Sequence, residues 1–310
     1  MAKESDKVTV DVDGHQLQLS NLHKVLYPQT GFTKGAVIDY YTRIAPVLLP
    51  HLADRALTIK RYPNGVDEKF FFEKNAARGT PSWVRTVTLP VPGSTMNRDT
   101  IDFVVVDQPA TLVWLANLAA IELHVPQWRI PPRARKPRTD LLVFDLDPGA
   151  PATIAECCEV AVLLRDLLAE DGIELFAKTS GSKGMQVSAP VETDDPERTS
   201  QYAHWAARRL EQAHPELVVS RMTKSLRTGK IFVDWSQNNS AKTTVAPYSL
   251  RARDEPTVST PLTWDEVSTG GMLRFTSDQV LERVEAHGDL FMGTLHGSGR
   301  TRITTAMATR

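Results

Sequence analysis

Apolar and polar residues alternate strictly in two short runs near the start of the chain, residues 8–12 (VTVDV) and 15–19 (HQLQL). Only Asp13-Gly14 separates them, and a two-residue Asp-Gly link between alternating runs predicts a β-hairpin. From 34 to 53 the period changes: Val37, Ile38, Tyr41, Ile44, Val47 and Leu48 recur at helical spacing behind Thr33, a good N-cap. Strands near 56–61, 84–90 and 101–106 and an apolar helix around 110–123 complete the elements of a first lobe.

The second half has a clearer order. The pattern predicts a strand at 140–147, a helix at 153–170 ending before Gly172, and strands at 173–179 and 185–190. A helix at 196–213 follows, with Asp195 as cap and Pro196 at its first position, and then strands near 217–220 and 230–235. That order is β-α-β-β-α-β, the split βαβ or ferredoxin-like plan, in which the first and third strands are central neighbours. The fold class is therefore α+β with two lobes. The expected division is 1–139 for the N-terminal lobe, 140–291 for the split βαβ lobe, and 292–310 for a polar, basic, mobile tail.

Composition narrows the class. Hydrophobic residues make up 41% and charged residues 24% of 310, an ordinary globular balance. The N-terminus lacks the apolar core of a signal peptide, and no apolar run approaches the roughly 18 residues of a membrane span, so a cytoplasmic protein with no membrane partner is expected. Cys157 and Cys158 are the only cysteines; being adjacent in a helical pattern, they point to packing rather than a disulfide framework or a cysteine zinc site. With a net charge of −1, an anionic partner must be held by local clusters. Two exist, Arg129, Arg133, Arg135, Lys136 and Arg138, then Arg221, Lys224, Arg227 and Lys230, each preceding a strand that ends in aspartate.

Those strand ends carry the candidate chemistry. In FDLDPG, residues 144–149, Asp145 and Asp147 share one face of a strand, where two carboxylates repel and lose hydration unless a cation or hydrogen-bond donors compensate. Asp147-Pro-Gly is also sound turn chemistry by itself. A third acid, Asp234, ends a strand that the split βαβ plan can set beside the first, and three convergent carboxylates suit hard divalent cations such as those of two-metal sites. The loop Thr179-Ser-Gly-Ser-Lys-Gly184 offers glycines that let backbone N–H groups turn inward, plus Ser180, Ser182 and Lys183 as donors for polyphosphate oxygens; a plain glycine-rich hairpin is the alternative. Phe70, Phe71 and Phe72 cannot all face one core, so at least one exposed ring beside Lys69 and Lys74 is expected, suited to base stacking unless the strand is packed on both sides. His124, expected at a helix-to-strand junction, fits a packed or a ligand-contacting role.

With VFDLDPG, TSGSKG, KSLRTGKIFVDWSQN and APYSLR in this order, together with LHKVLYP, RYPNGV, FFEK and ELHVPQWR, the sequence from about 18 to 290 strongly resembles the polymerase domain of bacterial ATP-dependent DNA ligase D, in the archaeo-eukaryotic primase superfamily. The resemblance implies a primase-like two-lobed catalytic domain adding nucleotides to primer 3′ ends at short gaps or breaks with a downstream 5′-phosphate, in DNA repair or end joining. It implies two divalent cations, Mn2+ or Mg2+, on Asp145, Asp147 and Asp234. Nucleotide and triphosphate contacts are implied for Lys60, His124, Ser180, Ser182, Lys183, Gln186, Gln237 and Arg251, a 5′-phosphate pocket for Lys24 and Lys34, and template stacking for Phe71 and Phe72. Substrates would be NTPs or dNTPs, with ribonucleotides preferred. Partners would be gapped or broken DNA and a DNA ligase or end-binding repair protein, in a cytoplasmic, nucleoid-associated setting.

The sequence departs from that pattern at Gln186, where family members often carry histidine; glutamine still donates a hydrogen bond but cannot become a cation. The K-x-D-G type of lysine nucleotidyl-transfer motif does not occur in the 310 residues, so a primase-polymerase without ligase is the expectation, a stand-alone gap-filling or repair polymerase and a severed end-joining module being equal alternatives. Two other classes use parts of the same pattern. A metal-dependent glycosyltransferase uses D-x-D but needs neither the phenylalanines nor Lys24 and Lys34; a non-catalytic DNA end-binding module would need the basic and aromatic residues but not the aspartates.

Overall fold

The protein is described from a computed structural model, which covers residues 7–91, 99–130, 137–193, 195–271, 273–296 and 300–309. Of the first basic cluster, Arg133, Arg135 and Lys136 lie outside the described residues. The N-terminal hairpin forms as the alternation predicts, Lys7–Val12 against His15–Ser20, with Asp13 and Gly14 both at positive φ (51° and 79°), the geometry that an Asp-Gly turn favours. The first long helix is Lys34–Leu52, and the Thr33 side chain accepts the Ala36 N–H to cap it.

The predicted helix over 110–123 is too long. Helix Pro109–Asn117 ends in a tight turn with Ala119 in the left-handed region (φ 59°), and Ala120–Val125 runs on as a strand. His124 therefore sits within a strand rather than at a helix junction. An apolar stretch with no glycine or proline break hides such a change, because periodicity alone cannot separate a buried strand from a buried helix. The new strand is central to a four-stranded sheet ordered Thr244–Val245, Ala120–Val125, Thr58–Arg61, Phe71–Glu73.

The second sheet reproduces the split βαβ plan. Its strand order is Val218–Val219, Ile231–Asp234, Leu141–Pro148, Met185–Glu192, Phe176–Thr179 and Pro261–Leu262. The Leu141–Pro148 and Met185–Glu192 strands are central antiparallel neighbours. Helices Ile154–Ala169 and Glu197–Ala213 cover one face, where Phe144, Leu146, Val187 and Val233 join Cys157, Cys158, Leu164 and Ala206 in one core. Thr153 and Glu156 form a capping box on the first helix; the Asp195 carboxylate accepts the Glu197 N–H at the second, a residue later than predicted.

The two lobes interleave. After the split βαβ unit the chain returns to the first: Thr244–Val245 pairs with Ala120–Val125, and Tyr248, Leu250, Val258 and Val280 pack in the first core with Ile44, Leu48 and Leu123. The last stretch is no free tail. Thr301 and Arg302 pair in parallel with Val191 and Glu192, Ile303 is fully buried, and a short helix, Thr305–Ala308, closes the segment.

Candidate active site

One cross-strand row spans four strands of the second sheet. Asp145 lies opposite Asp234 on one side and Gln186 on the other, and Gln186 lies opposite Lys178. Since directly opposed residues share a face, all four side chains stand on the side away from the two covering helices, and Asp147, two residues on, joins them. The D-x-D pattern thus does what its alternation predicts, and the strand Ile231–Asp234 brings the third carboxylate to it.

The row is electrostatically unbalanced at its acidic end. Burial, then the Asp147 carboxylate, push Asp145 up to about 7; Gln186 and Lys178 oppose this, and Asp234 adds to it. Asp147 is raised for the same reasons, burial first and Asp234 second. Asp234 is tied down: its Oδ1 accepts from the Ser236 N–H (3.0 Å) and hydroxyl (2.5 Å), and its Oδ2 accepts from Gln237 Nε2 (2.9 Å). Gln237 therefore touches a carboxylate directly. Among the described residues no group of three or more acidic, histidine or cysteine side chains is drawn together closely enough to hold a metal ion. The donor set nonetheless fits hard divalent cations: three carboxylates on one face, mutually repelling and short of counter-charge.

Gln186 bridges this cluster to a buried lysine. Its Nε2 donates to Asp145 Oδ1 (3.0 Å), while its Oε1 accepts from Lys178 Nζ (2.6 Å). Lys178 also donates to the Val245 carbonyl (3.0 Å) and Ser259 Oγ (2.7 Å), and burial pulls it down to about 7. An ammonium has only donors, so it fixes which end of the amide faces Asp145. Lys178 has no place in the pattern read from the sequence; its partners lie 67 to 81 residues downstream except for Gln186.

The glycine-rich loop joins Phe176–Thr179 to Met185–Glu192 as a hairpin. Ser180 Oγ accepts the N–H groups of Ser182 and Gly184 from within the loop, and Lys183 is exposed at its tip. Gly181 has φ 66°, and a Cβ there would lie 2.7 Å from both Arg251 Cγ and the Val258 backbone, so only glycine fits. Arg251 Nη1 donates to the Ser180 carbonyl (2.5 Å).

Arg251 also reaches the first lobe, where a second charged centre stands. Lys60 and Glu122 are opposed across neighbouring strands, and His124 shares that face. Glu122 is 2% exposed and meets Lys60 Nζ at 3.2 Å, His124 Nε2 at 2.9 Å and Arg251 Nε at 3.2 Å. Burial works against its ionised form, yet His124, Arg251 and Lys60 together hold its carboxyl well below the usual carboxylate range. Burial pulls His124 down, with Glu122 opposing. Three residues predicted to contact the triphosphate thus meet at one acid that the sequence pattern did not single out.

The remaining predicted residues fall into two further places. Lys24 and Lys34 are neighbours: the Lys34 N–H donates to the Lys24 carbonyl (2.8 Å), and burial followed by the Lys24 charge bring the Lys34 amine down to about 8. Lys24 Nζ donates to Asn64 Oδ1 (3.2 Å) and Lys34 Nζ to Ser20 Oγ (3.4 Å). Phe70, Phe71 and Phe72 are all exposed, at 46%, 44% and 51%, so the run is not a strand packed on both sides. Lys60 lies 5.2 Å from the Phe70 ring centre and Arg61 5.9 Å from that of Phe71. Several described members of the basic clusters are engaged within the protein. Arg129 binds Asp140 and the carbonyls of Ala53 and Pro50; Arg221 pairs with Glu211; Arg227 lies over the Phe232 ring.

Known proteins resemble this chain in sequence and fold. The LigD primase-polymerase domain family matches residues 33–291. The multifunctional non-homologous end joining protein LigD of Mycolicibacterium smegmatis is 46% identical over 276 residues, 89% of this chain and 35% of that protein. The bifunctional LigD of Bacillus subtilis is 33% identical over 88% of this chain and 43% of its own length. The chain thus spans roughly a third to two fifths of these relatives. The polymerase domain of Mycobacterium tuberculosis ligase D, solved in complex with DNA, superposes with a TM-score of 0.85 at 44% identity, over 91% of this chain and 99% of that one. The α+β architecture is accordingly that of the primase-like two-lobed domains, and the chain belongs to the LigD primase-polymerase domain family, a metal-dependent family of nucleotidyltransferases.

Proposed function

We propose that this protein is a template-dependent DNA/RNA polymerase that adds nucleotides to a primer 3′-hydroxyl at short gaps or breaks bearing a downstream 5′-phosphate, in end joining or related DNA repair. The observation that carries this reading is the shared face of Asp145, Asp147 and Asp234, joined through Arg251 and the Ser180 loop to the basic centre around Glu122. The relatives named as end joining proteins and the DNA complex of the M. tuberculosis domain support the DNA substrate and the pathway.

Asp145, Asp147 and Asp234 would hold two divalent cations, Mn2+ or Mg2+. Bound there, such ions lower the pKa of an attacking hydroxyl and neutralise a pyrophosphate leaving group. The chain's own groups do the rest. Gln186 and Gln237 keep carboxylate oxygens of Asp145 and Asp234 engaged by donors and so fix their orientation. Lys60, His124, Lys183 and Arg251 bind phosphate oxygens of the incoming nucleotide, with the Ser180 to Gly184 loop beneath, and their charge counters what develops during transfer. Lys24 and Lys34 grip the 5′-phosphate across the gap, and the exposed Phe71 and Phe72 rings stack on template bases. Ribonucleotides are preferred, and a DNA ligase or end-binding protein acts with the polymerase in the nucleoid.

The test is extension of a labelled primer across a short gap, with and without a downstream 5′-phosphate, supplying rNTPs or dNTPs with Mn2+ or Mg2+. The expected result is templated addition by wild type, stronger with the 5′-phosphate and with rNTPs. Binding to the gapped duplex without addition under either metal would leave an end-binding module instead.

A further inference from the structure

We propose that Glu122 is a positioning residue for the nucleoside triphosphate: an acid at the base of an anion site that raises its affinity for an anion. The inference rests on the nucleotide-binding role given above to Lys60, His124 and Arg251. Exposure separates the carboxylate from the groups it holds. Glu122 is 2% exposed, whereas Lys60 is 24%, and His124 and Arg251 are each 12%. A ligand approaching from solvent therefore meets the three basic side chains before the carboxylate beneath them.

Each contact has a separate effect on placement. Lys60 and His124 both approach Glu122 Oε2, while Arg251 approaches Oε1, which also accepts the Ala252 N–H (3.2 Å). Lys60 and Arg251 are thus held within the span of one carboxylate, a proximity that two permanent cations would not keep without it. Through Arg251 the order passes to the other lobe, because the same guanidinium donates to the Ser180 carbonyl and its aliphatic part packs on Gly181. One buried acid therefore sets the positions of three basic side chains and of the glycine-rich loop before any ligand arrives, so that little reorganisation is left for binding.

Charge alone gives the opposite expectation. Removing Glu122 makes the site more positive by one unit, which favours a triphosphate; losing the placement disfavours it. Glu122→Gln decides between them. With ATP and Mg2+ as the probe, titration calorimetry and single-nucleotide incorporation kinetics are measured on the full chain with a gapped duplex.

The expected result is a roughly ten- to hundredfold rise in both the Kd for ATP and the KM for the nucleotide. At the same time kcat changes far less and affinity for the gapped duplex stays close to wild type, while Tm falls, because a buried carboxylate held ionised by three basic groups contributes to stability. ATP binding as tight as wild type, or tighter, overturns the inference. Glu122→Asp keeps the charge but draws it back by one methylene, so it serves if the glutamine variant does not fold: weaker ATP binding is expected, and unchanged binding overturns the inference. A wild-type protein that binds no ATP would instead overturn the nucleotide-binding role on which the inference stands.

Discussion

Two acidic centres lie on the polar faces of the two sheets, and their surroundings have opposite sign. At the first, Asp145, Asp147 and Asp234 crowd together, and burial with mutual repulsion raises Asp145 and Asp147 above the ordinary carboxylate range. At the second, Glu122 has more basic neighbours than one carboxylate can neutralise and is held well below that range. The difference shows how one functional group can be used for two purposes. A cluster short of positive charge is completed by cations from outside; a carboxylate surrounded by surplus positive charge is completed by an anion. A nucleotidyl transferase needs both, and here Arg251 and the Ser180 loop join them.

The contrast can be broken from the acidic side. Asp145→Asn is expected to lower nucleotide incorporation roughly a thousandfold, the several kcal/mol a metal ligand supplies, while ATP binding without metal and binding to gapped DNA persist; primer extension and calorimetry check both. Loss of ATP binding in equal measure would mean that the two centres are not separable.

The same variant gives a pH signature. A carboxyl whose folded pKa lies above its unfolded value binds a proton on folding, so its contribution to stability falls as pH rises from the usual carboxylate range towards the folded pKa. For Asp145 that window ends at about 7. In chelator, Asp145→Asn should therefore gain stability relative to wild type as pH rises from about 4 to 7, and the difference should level off above it, as followed by urea denaturation at each pH. A pH-independent difference would show that the acidic centre is not short of positive charge.

Gln186→Leu sharpens the comparison at the link between Asp145 and Lys178. It deprives a buried ammonium and a carboxylate of one hydrogen bond each, and a loss of roughly 2 kcal/mol in urea unfolding is expected. The smallest effect is expected away from both centres. Lys24→Ala should lower the slope of log affinity for gapped DNA against log salt by about one and weaken the response to the 5′-phosphate, with no change in ATP binding.

Much of the three-aspartate centre was legible because it is local. Asp145 and Asp147 share a face by alternation alone, and the split βαβ order puts Asp234 beside them. The loop at 179–184 was marked by its glycines. Glu122 was not legible, because the chain around it reads as the end of an apolar helix; the turn at Ala119 that makes it a strand carries no glycine, and Asn117 is the one residue there that suits a helix end. Lys178 was hidden for another reason: its hydrogen-bond partners Gln186, the Val245 carbonyl and Ser259 all come from other strands or segments, and only the folded sheet sets them beside it. The interleaving of the lobes was equally invisible, since pairing of Thr244–Val245 with Ala120–Val125 joins segments more than a hundred residues apart.

The most direct measurement is equilibrium binding of Mn2+, read from the paramagnetic resonance signal of the free ion, for wild type, Asp145→Asn and Glu122→Gln without nucleotide. Wild type and Glu122→Gln should bind the ion alike, and Asp145→Asn should lose it. Equal binding by wild type and Asp145→Asn, or loss in Glu122→Gln, would contradict the division of labour between the two acidic centres.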